Sequence, residues 1–521
     1  MIKTLNVKKL TALVSLLTVT AGSGPGAQSD SLTKRSAAAG FTPELDAYIA
    51  KAVRDWEVPG LAIAVVRNDT VLVAKGYGVR ELGKPDPVDG NTLFDVASLT
   101  KSFTAAGAAI LVDEGKLRWD DYVRRHLPSL RFPDRYLDEH LTLRDLLSHR
   151  SGLNPSNWMV VLMGEGRDMD ALHRVPYLKT SAEFRTTLVY SNIGYTIAGA
   201  VTAAVAKVPW AEFIRTRLIK PLGMTSSYVN ERLPVSGNVA RPHAVLGGKQ
   251  VPIRTSGEDD GPSGGISSTA NDMARWLRFQ INRGELEGMR LVSERSMEEM
   301  HSPQIIIPTT AAMRRARLVE SFPAYGLGWQ LMDLRGRKMW WHSGNADGMP
   351  SYMAILPDQR IGVVVLLNSW IAPTLHGAIA SRVFDTLLGV EPRDFSAEAL
   401  AGVRAQRARE EEGRRWLAEQ IATRREPAHT LAAYAGVYED SLYGPIRIWL
   451  EQGKLAMQLA RGEIADLTPH GGDSLFVNWR DPVFHEMMAT HVTFVPDAGG
   501  RMARLQMPIA RDTVTAVRSR R

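Results

Sequence analysis

Apolar and polar residues are mixed along LDAYIAKAVRDW (45–56), which reads as a helix. Thr42-Pro43 provide a helix start, with proline at the first helical position, and Val58-Pro59-Gly60 ends the pattern. The period then changes. LAIAVVRNDTVLVAKGYG (61–78) is apolar on both sides of Asn68-Asp69 and predicts a β-hairpin. Strand-like runs return from Tyr325: YGLGWQLMDL, KMWWHSG, SYMAILP and IGVVVLLN, followed by a helix in HGAIASRVFDTLLG (376–389). Between these ends lie helical stretches such as LTLRDLLSHRSGL and WAEFIRTRLIKPLGM. Strands at both ends with helices between predict one sheet built from distant parts, plus a helical lobe: an α+β fold with a cleft.

Beyond this part the pattern changes twice. Residues 396–425 are charged and alanine-rich and read as a helical connector with no buried face. From Leu431 short strands alternate with turns (IRIWL, KLAMQLA, SLFVNW, HVTFVP, MARLQM), with turns at Gln452-Gly453 and Gly499-Gly500. They predict a separate small β-sandwich or barrel. The expected layout is a main domain at 38–392, a connector at 393–427 and a β-domain at 428–521.

The first 27 residues differ again. Lys3, Lys8 and Lys9 precede an apolar run from Leu10 to Val19 and then small residues, the order of a secretory signal peptide with cleavage after Ala21 or Ala27. This predicts a periplasmic or secreted protein. Charged residues make up 23% of the chain and its formal charge is +7, yet basic residues are scattered or mixed with acids, as in RAQRAREEEGRR. No basic stripe with interleaved aromatics is present, which argues against nucleic acid as a partner. After the N-terminus no apolar run reaches the length of a membrane span.

DVASLTKSFTAAGAAILVDEG (95–115) raises the question of chemistry. Ser98 and Lys101 stand three apart, so a helix places hydroxyl and amine on one face. Small neighbours (Ala105 to Ala109) allow that helix to be packed all round, and a buried amine loses proton affinity. An amine so placed can activate a serine nucleophile. Two further motifs follow in order: Tyr190-Ser191-Asn192 in TTLVYSNIGYTIAG, and His342-Ser343-Gly344 in KMWWHSGNADGMPSYMAIL.

With these three motifs the sequence resembles the serine β-lactamase and penicillin-binding-protein superfamily. The likeness is to its class C β-lactamase, D-Ala-D-Ala carboxypeptidase and family VIII esterase branch. LLSHRSGL, PLGMTSSYV, GGISSTANDMARWL, YGLGW and HSGNADGMPSYMAILPDQRIGVVVLLN extend it over about residues 43–390. The resemblance implies a β-lactamase/transpeptidase-like fold, followed by a lipocalin-like β-domain whose open roles are to close the cleft, to bind ligand or to build a homo-oligomer. It implies Ser98 as acylated nucleophile and Lys101 as holder of its proton network. Tyr190 would be base and acid, its pKa lowered by Lys101. Asn192, His342, Ser343, Gly344 and Asn345 would bind substrate, with the amides of Ser98 and Asn345 as oxyanion hole. No cofactor and no metal are implied.

The reading is thus an exported serine hydrolase that forms an acyl-enzyme with a small-molecule or peptide substrate. An esterase or D-amino-acid peptidase comes first, a β-lactamase or D-Ala-D-Ala carboxypeptidase second, and a non-catalytic scaffold last. His342 stands where many β-lactamases have lysine; titrating near pH 6.5, it would read substrate carboxylates. Three other features are set aside. Gly261-Pro262-Ser263-Gly264-Gly265 matches a nucleophile-elbow pattern but follows SGEDD and reads as a flexible loop rimming the cleft. His485-Glu486…His491 lacks zinc-helix spacing. His149 belongs, by the resemblance, to a structural turn.

Overall fold

The computed structural model describes residues 40–155, 168–231, 233–253, 261–309, 323–391, 393–422, 426–488, 490–509 and 512–519. The expected signal peptide (1–27) and SGEDD (256–260) lie outside them. The described chain divides into two compact units. One runs to Leu153 and continues from Thr180 to Arg404; the other joins Asn154–Lys179 to the chain from Ala405 onward.

In the first unit, α1 (Pro43–Asp55) starts where the Thr42 hydroxyl accepts from the Leu45 amide, and buries Leu45, Ile49, Ala52 and Val53. The hairpin of β1 (Gly60–Arg67) and β2 (Thr70–Gly78) turns at Asn68 and Asp69, whose φ values of 49° and 68° are those of a type I′ turn. Among the helices that follow, the long ones are α2 (Thr100–Asp113), α3 (Asn192–Ala206) and α4 (Ala270–Ile281). The other strands of the large sheet are β3 (Ile305–Ile306), β4 (Ala324–Tyr325), β5 (Gln330–Leu334), β6 (Arg337–Ala346), β7 (Met349–Leu356) and β8 (Ile361–Leu367). They form one antiparallel sheet in the order β3-β4-β5-β6-β7-β8-β1-β2. Leu61 of β1 faces Leu367 of β8, so the two ends of this unit share a sheet as predicted.

Helix α4 covers one face of this sheet, while α5 (Leu375–Leu388) with α1 covers the other. Strands β7 and β8 are therefore buried at every position, which is why they read as continuous apolar runs. Helix α2 is buried from Thr100 to Leu111 on all sides, in keeping with its small residues. A Cβ at Gly107 would lie 2.5 Å from Ile214 Cδ1, so the glycine lets that side chain pack close against the helix.

Helix α6 (Phe395–Ala422) corrects the expected connector. Its first turns are built into the first unit: Phe395, Ser396 and Leu400 are buried, and the Ser396 hydroxyl accepts from Trp56 Nε1 at 2.9 Å. Only from Arg404 does it become the exposed, charged helix that the composition suggested.

The C-terminal part is a closed barrel, which settles the choice between sandwich and barrel. Its strands are β9 (Gly436–Asp440), β10 (Gly444–Glu451), β11 (Lys454–Gln458), β12 (Ile464–Gly471), β13 (Ser474–Trp479), β14 (Thr490–Pro496), β15 (Met502–Ile509) and β16 (Asp512–Arg518). Each pairs with the next, and Tyr438 opposite Arg518 closes the ring. Segment Asn154–Lys179 belongs to this unit. Arg174 Nη1 donates to the Ser441 carbonyl at 2.8 Å, and Lys179 pairs with Asp512, which also accepts from the Tyr443 hydroxyl at 3.0 Å. Nothing in the sequence pattern foreshadowed that excursion.

Candidate active site

Ser98 lies in a 3-10 turn, Ala97–Leu99, that runs directly into α2. Ala97 has φ of 49°, an uncommon backbone state for a residue with a Cβ, held only where the surroundings over-determine it. Here they do. The Val96 amide donates to the Ile266 carbonyl at 3.0 Å, and the Ser351 hydroxyl donates to the Val96 carbonyl at 2.8 Å. From Val96 to Leu111, Ser98 is the one residue not buried. Ser98 is thus the one accessible point on a fixed turn.

Lys101 is fully buried, and its Nζ donates to Ser98 Oγ at 3.0 Å and to the Ser263 carbonyl at 2.7 Å. The same amine sits 5.0 Å from the ring centre of Tyr190 and 5.3 Å from that of Tyr195. The Ser98 hydroxyl also bonds to the Tyr190 phenol. Burial nevertheless raises the Tyr190 pKa above its ordinary value, and the Ser98 bond opposes this only in part. The expected depression by Lys101 is not found; burial of the phenol dominates instead. Tyr190 rests as a neutral phenol.

Asn192 opens α3, with Ser191 as N-cap accepting from the Gly194 amide. Its Oδ1 is buried and has no hydrogen-bond partner among the described residues, so an acceptor stands ready for a donor. On β6, Gly344 presses against the nucleophile turn: a Cβ there would lie 2.3 Å from Ser351 Oγ and 2.6 Å from the Val96 carbonyl oxygen. Ser343 is half-buried and Asn345 exposed, while His342 and Gly344 are buried, as strand alternation requires.

His342 departs from expectation. It is 1% exposed, its Nδ1 bonds to the Ser343 carbonyl at 2.7 Å and its Nε2 to the Tyr325 hydroxyl at 2.9 Å. Burial first, and the Lys101 charge second, push its pKa down to about 3. It therefore does not titrate near pH 6.5 and carries no charge with which to read a substrate carboxylate. A strand residue's face, set by register, decided this.

Ser263 is corrected as well. Gly261–Gly264 is a buried turn of helix rather than a flexible rim, and Ser263 contributes its carbonyl, not its hydroxyl, to Lys101. Thr104 ties down the same turn by donating to the Pro262 carbonyl at 2.7 Å. The sequence reading missed this acceptor and Tyr325: GPSGG was read as a loop and YGLGW was visible as a phrase, but no spacing rule aimed them at Lys101 or His342.

The Beta-lactamase family model matches residues 45–387. The chain belongs to the β-lactamase family. Members of this family are serine hydrolases, and the match takes in Ser98; residues 422–517 match a domain of unknown function (DUF3471). Among curated proteins, the chain is 26% identical over 454 residues to the unguisins hydrolase ungD of Aspergillus violaceofuscus, spanning 79% of this chain and 77% of that protein. Among solved structures it resembles the octameric penicillin-binding protein homologue from Pyrococcus abyssi (22% identity, TM-score 0.59, 91% of this chain and 99% of that one). It also resembles the D-amino acid amidase from Ochrobactrum anthropi SV3 (22% identity, TM-score 0.55, 66% and 99%). At such identities the two structures establish the β-lactamase/transpeptidase-like fold and no more.

Proposed function

We propose that this β-lactamase-family protein is an exported serine hydrolase that acylates Ser98 and then releases the acyl group to water, acting on esters or amides. One observation carries the reading: a fully buried lysine amine 3.0 Å from a half-buried serine hydroxyl that also bonds to a neutral phenol. In the acylation step Ser98 Oγ bonds to the carbonyl carbon while its proton passes to the Tyr190 oxygen. The Tyr190 proton passes in turn to the leaving oxygen or nitrogen, and the bond to that atom breaks. A phenol with a raised pKa suits this relay, since it never has to persist as phenolate. Lys101 stabilises the oxygen that loses the proton, and the amides of Ser98 and Asn345 receive the developing oxyanion. Asn192 Oδ1 accepts from the acyl side chain of the substrate.

The neutral His342 favours esters and simple amides over substrates that need a cationic partner for a carboxylate. That ranks an esterase or D-amino-acid amidase above a β-lactamase or D-Ala-D-Ala carboxypeptidase. The test is intact-mass spectrometry after mixing with p-nitrophenyl butyrate, a D-alanine amide and benzylpenicillin. Ser98 should gain an acyl group from the first two, and Ser98→Ala should gain none and lose turnover by at least about 10³-fold. Acylation elsewhere, or turnover that survives Ser98→Ala, overturns the reading. Export rests on the N-terminal lysines and apolar run, and N-terminal sequencing of secreted material should begin near Gly22 or Gln28. A homo-oligomer through the barrel is tested by the mass in solution with and without residues 428–521.

A further inference from the structure

We infer that His149 is a positioning residue for Tyr190, gripping the chain on both sides of it. The inference rests on the Ser98 reading above. His149 accepts twice from the Tyr190 segment: its carbonyl takes the Val189 amide at 2.8 Å, and its ring Nδ1 takes the Ser191 amide at 3.1 Å. One residue therefore brackets Tyr190 with a bond to each neighbour. Its ring packs 4.2 Å from the Tyr190 ring and 4.6 Å from that of Tyr325.

To present carbonyl and ring to the same segment, His149 adopts φ of 59°, a left-handed conformation that a bulky side chain seldom takes. The residue is fully buried. With Nδ1 accepting, the proton lies on Nε2, which has no partner of its own. A buried N–H with no partner among the described residues is unfavourable, and a plain turn does not need one. Burial, with the Lys101 charge adding to it, keeps the ring pKa well below its ordinary value, so the acceptor persists at working pH. Tyr190 must meet Ser98 on one side and the leaving group on the other, a geometry in which a displacement of about 1 Å can cost on the order of 10²-fold.

The test compares His149→Gly with His149→Asn. Glycine keeps the positive φ and the carbonyl bond but lacks the ring acceptor; asparagine tolerates positive φ and offers Oδ1 where Nδ1 stood. Two butyrate esters serve as probes: p-nitrophenyl butyrate, whose leaving group departs without an acid, and phenyl butyrate, which needs the Tyr190 proton more. His149→Gly should lower kcat about tenfold on the first and about a hundredfold on the second, with KM little changed. His149→Asn should recover most of the loss and restore the ratio between the esters. Equal losses on both esters, or no loss in a folded His149→Gly, overturn the assignment. Should His149→Gly fail to fold by circular dichroism, His149→Asn decides: the wild-type ratio supports the role and a shifted ratio contradicts it. Activity surviving in Ser98→Ala would instead remove the acyl-enzyme reading itself.

Discussion

The two β-structures of this chain are built on opposite principles. In the sheet of the first unit β1 must find β8, with Leu61 opposite Leu367, and its central strands are buried on both faces. In the barrel every strand pairs with its sequence neighbour, and β10 alternates buried and exposed positions over much of its length. Chemistry follows the same division. The first unit buries Lys101, His149, His243, His342 and Asp385 among its polar residues, whereas the barrel's described interior is apolar apart from tyrosines such as Tyr434 and Tyr438. A sheet covered on both faces can hold polar groups dry and oriented; a small barrel filled by its own side chains mainly holds itself together.

The largest test of this contrast uses glycine. Gly344→Ala should lose activity by about a hundredfold and destabilise the first unit by about 1–3 kcal/mol, because its Cβ meets Ser351 and the Val96 carbonyl. Gly453→Ala, at φ of 76° in a barrel turn with nothing near its Cβ, should leave kcat/KM unchanged and cost about 1 kcal/mol of backbone strain. Comparable activity losses in the two variants would break the comparison.

Acid provides the next test. Among the described residues the first unit holds five histidines with lowered pKa values: His149, His243, His301 and His342 (the last two about 3) and His376 (about 4). The barrel holds one, His491. A histidine bound neutral contributes its full stability above about pH 6.5 and loses it as pH falls below; for His301, His342 and His376 the loss is about 1 kcal/mol each at pH 5.5. Asp385, raised to about 6 by burial, works the other way and offsets about one of them. From pH 7.5 to 5.5 calorimetry should show the first unit's transition falling by several degrees more than the barrel's. Transitions that shift together would show the two units to be energetically one.

The smallest effect concerns the excursion. Asp512→Ala removes the partner of Lys179 and Tyr443 and should cost the barrel about 1 kcal/mol, with kcat within twofold of wild type. Protease accessibility of Asn154–Lys179 reads the loss directly, and unchanged protection would mean other contacts hold that segment. Limited proteolysis of the wild type should cut α6 after Arg404 and spare the turns around Ser396.

Local order determined much of this protein before any tertiary structure. The α1 pattern, the turn at Asn68-Asp69 and the three ordered motifs around Ser98, Tyr190 and His342 follow from short-range periodicity and residue chemistry. Several barrel strands were legible for the same reason, although β9, β12 and β16 were not; β12 carries Pro469 and His470 within its run and is held by its neighbours rather than by its own pattern. What tertiary structure alone decided was environment. It placed the buried Ser263 carbonyl under Lys101, turned His342 inward to Tyr325, raised the Tyr190 pKa by burial and closed His149 around the Tyr190 segment. None of these could be read along the chain, because desolvation and hydrogen bonding depend on atoms contributed from distant segments, and those meet only when the sheet and helices have packed.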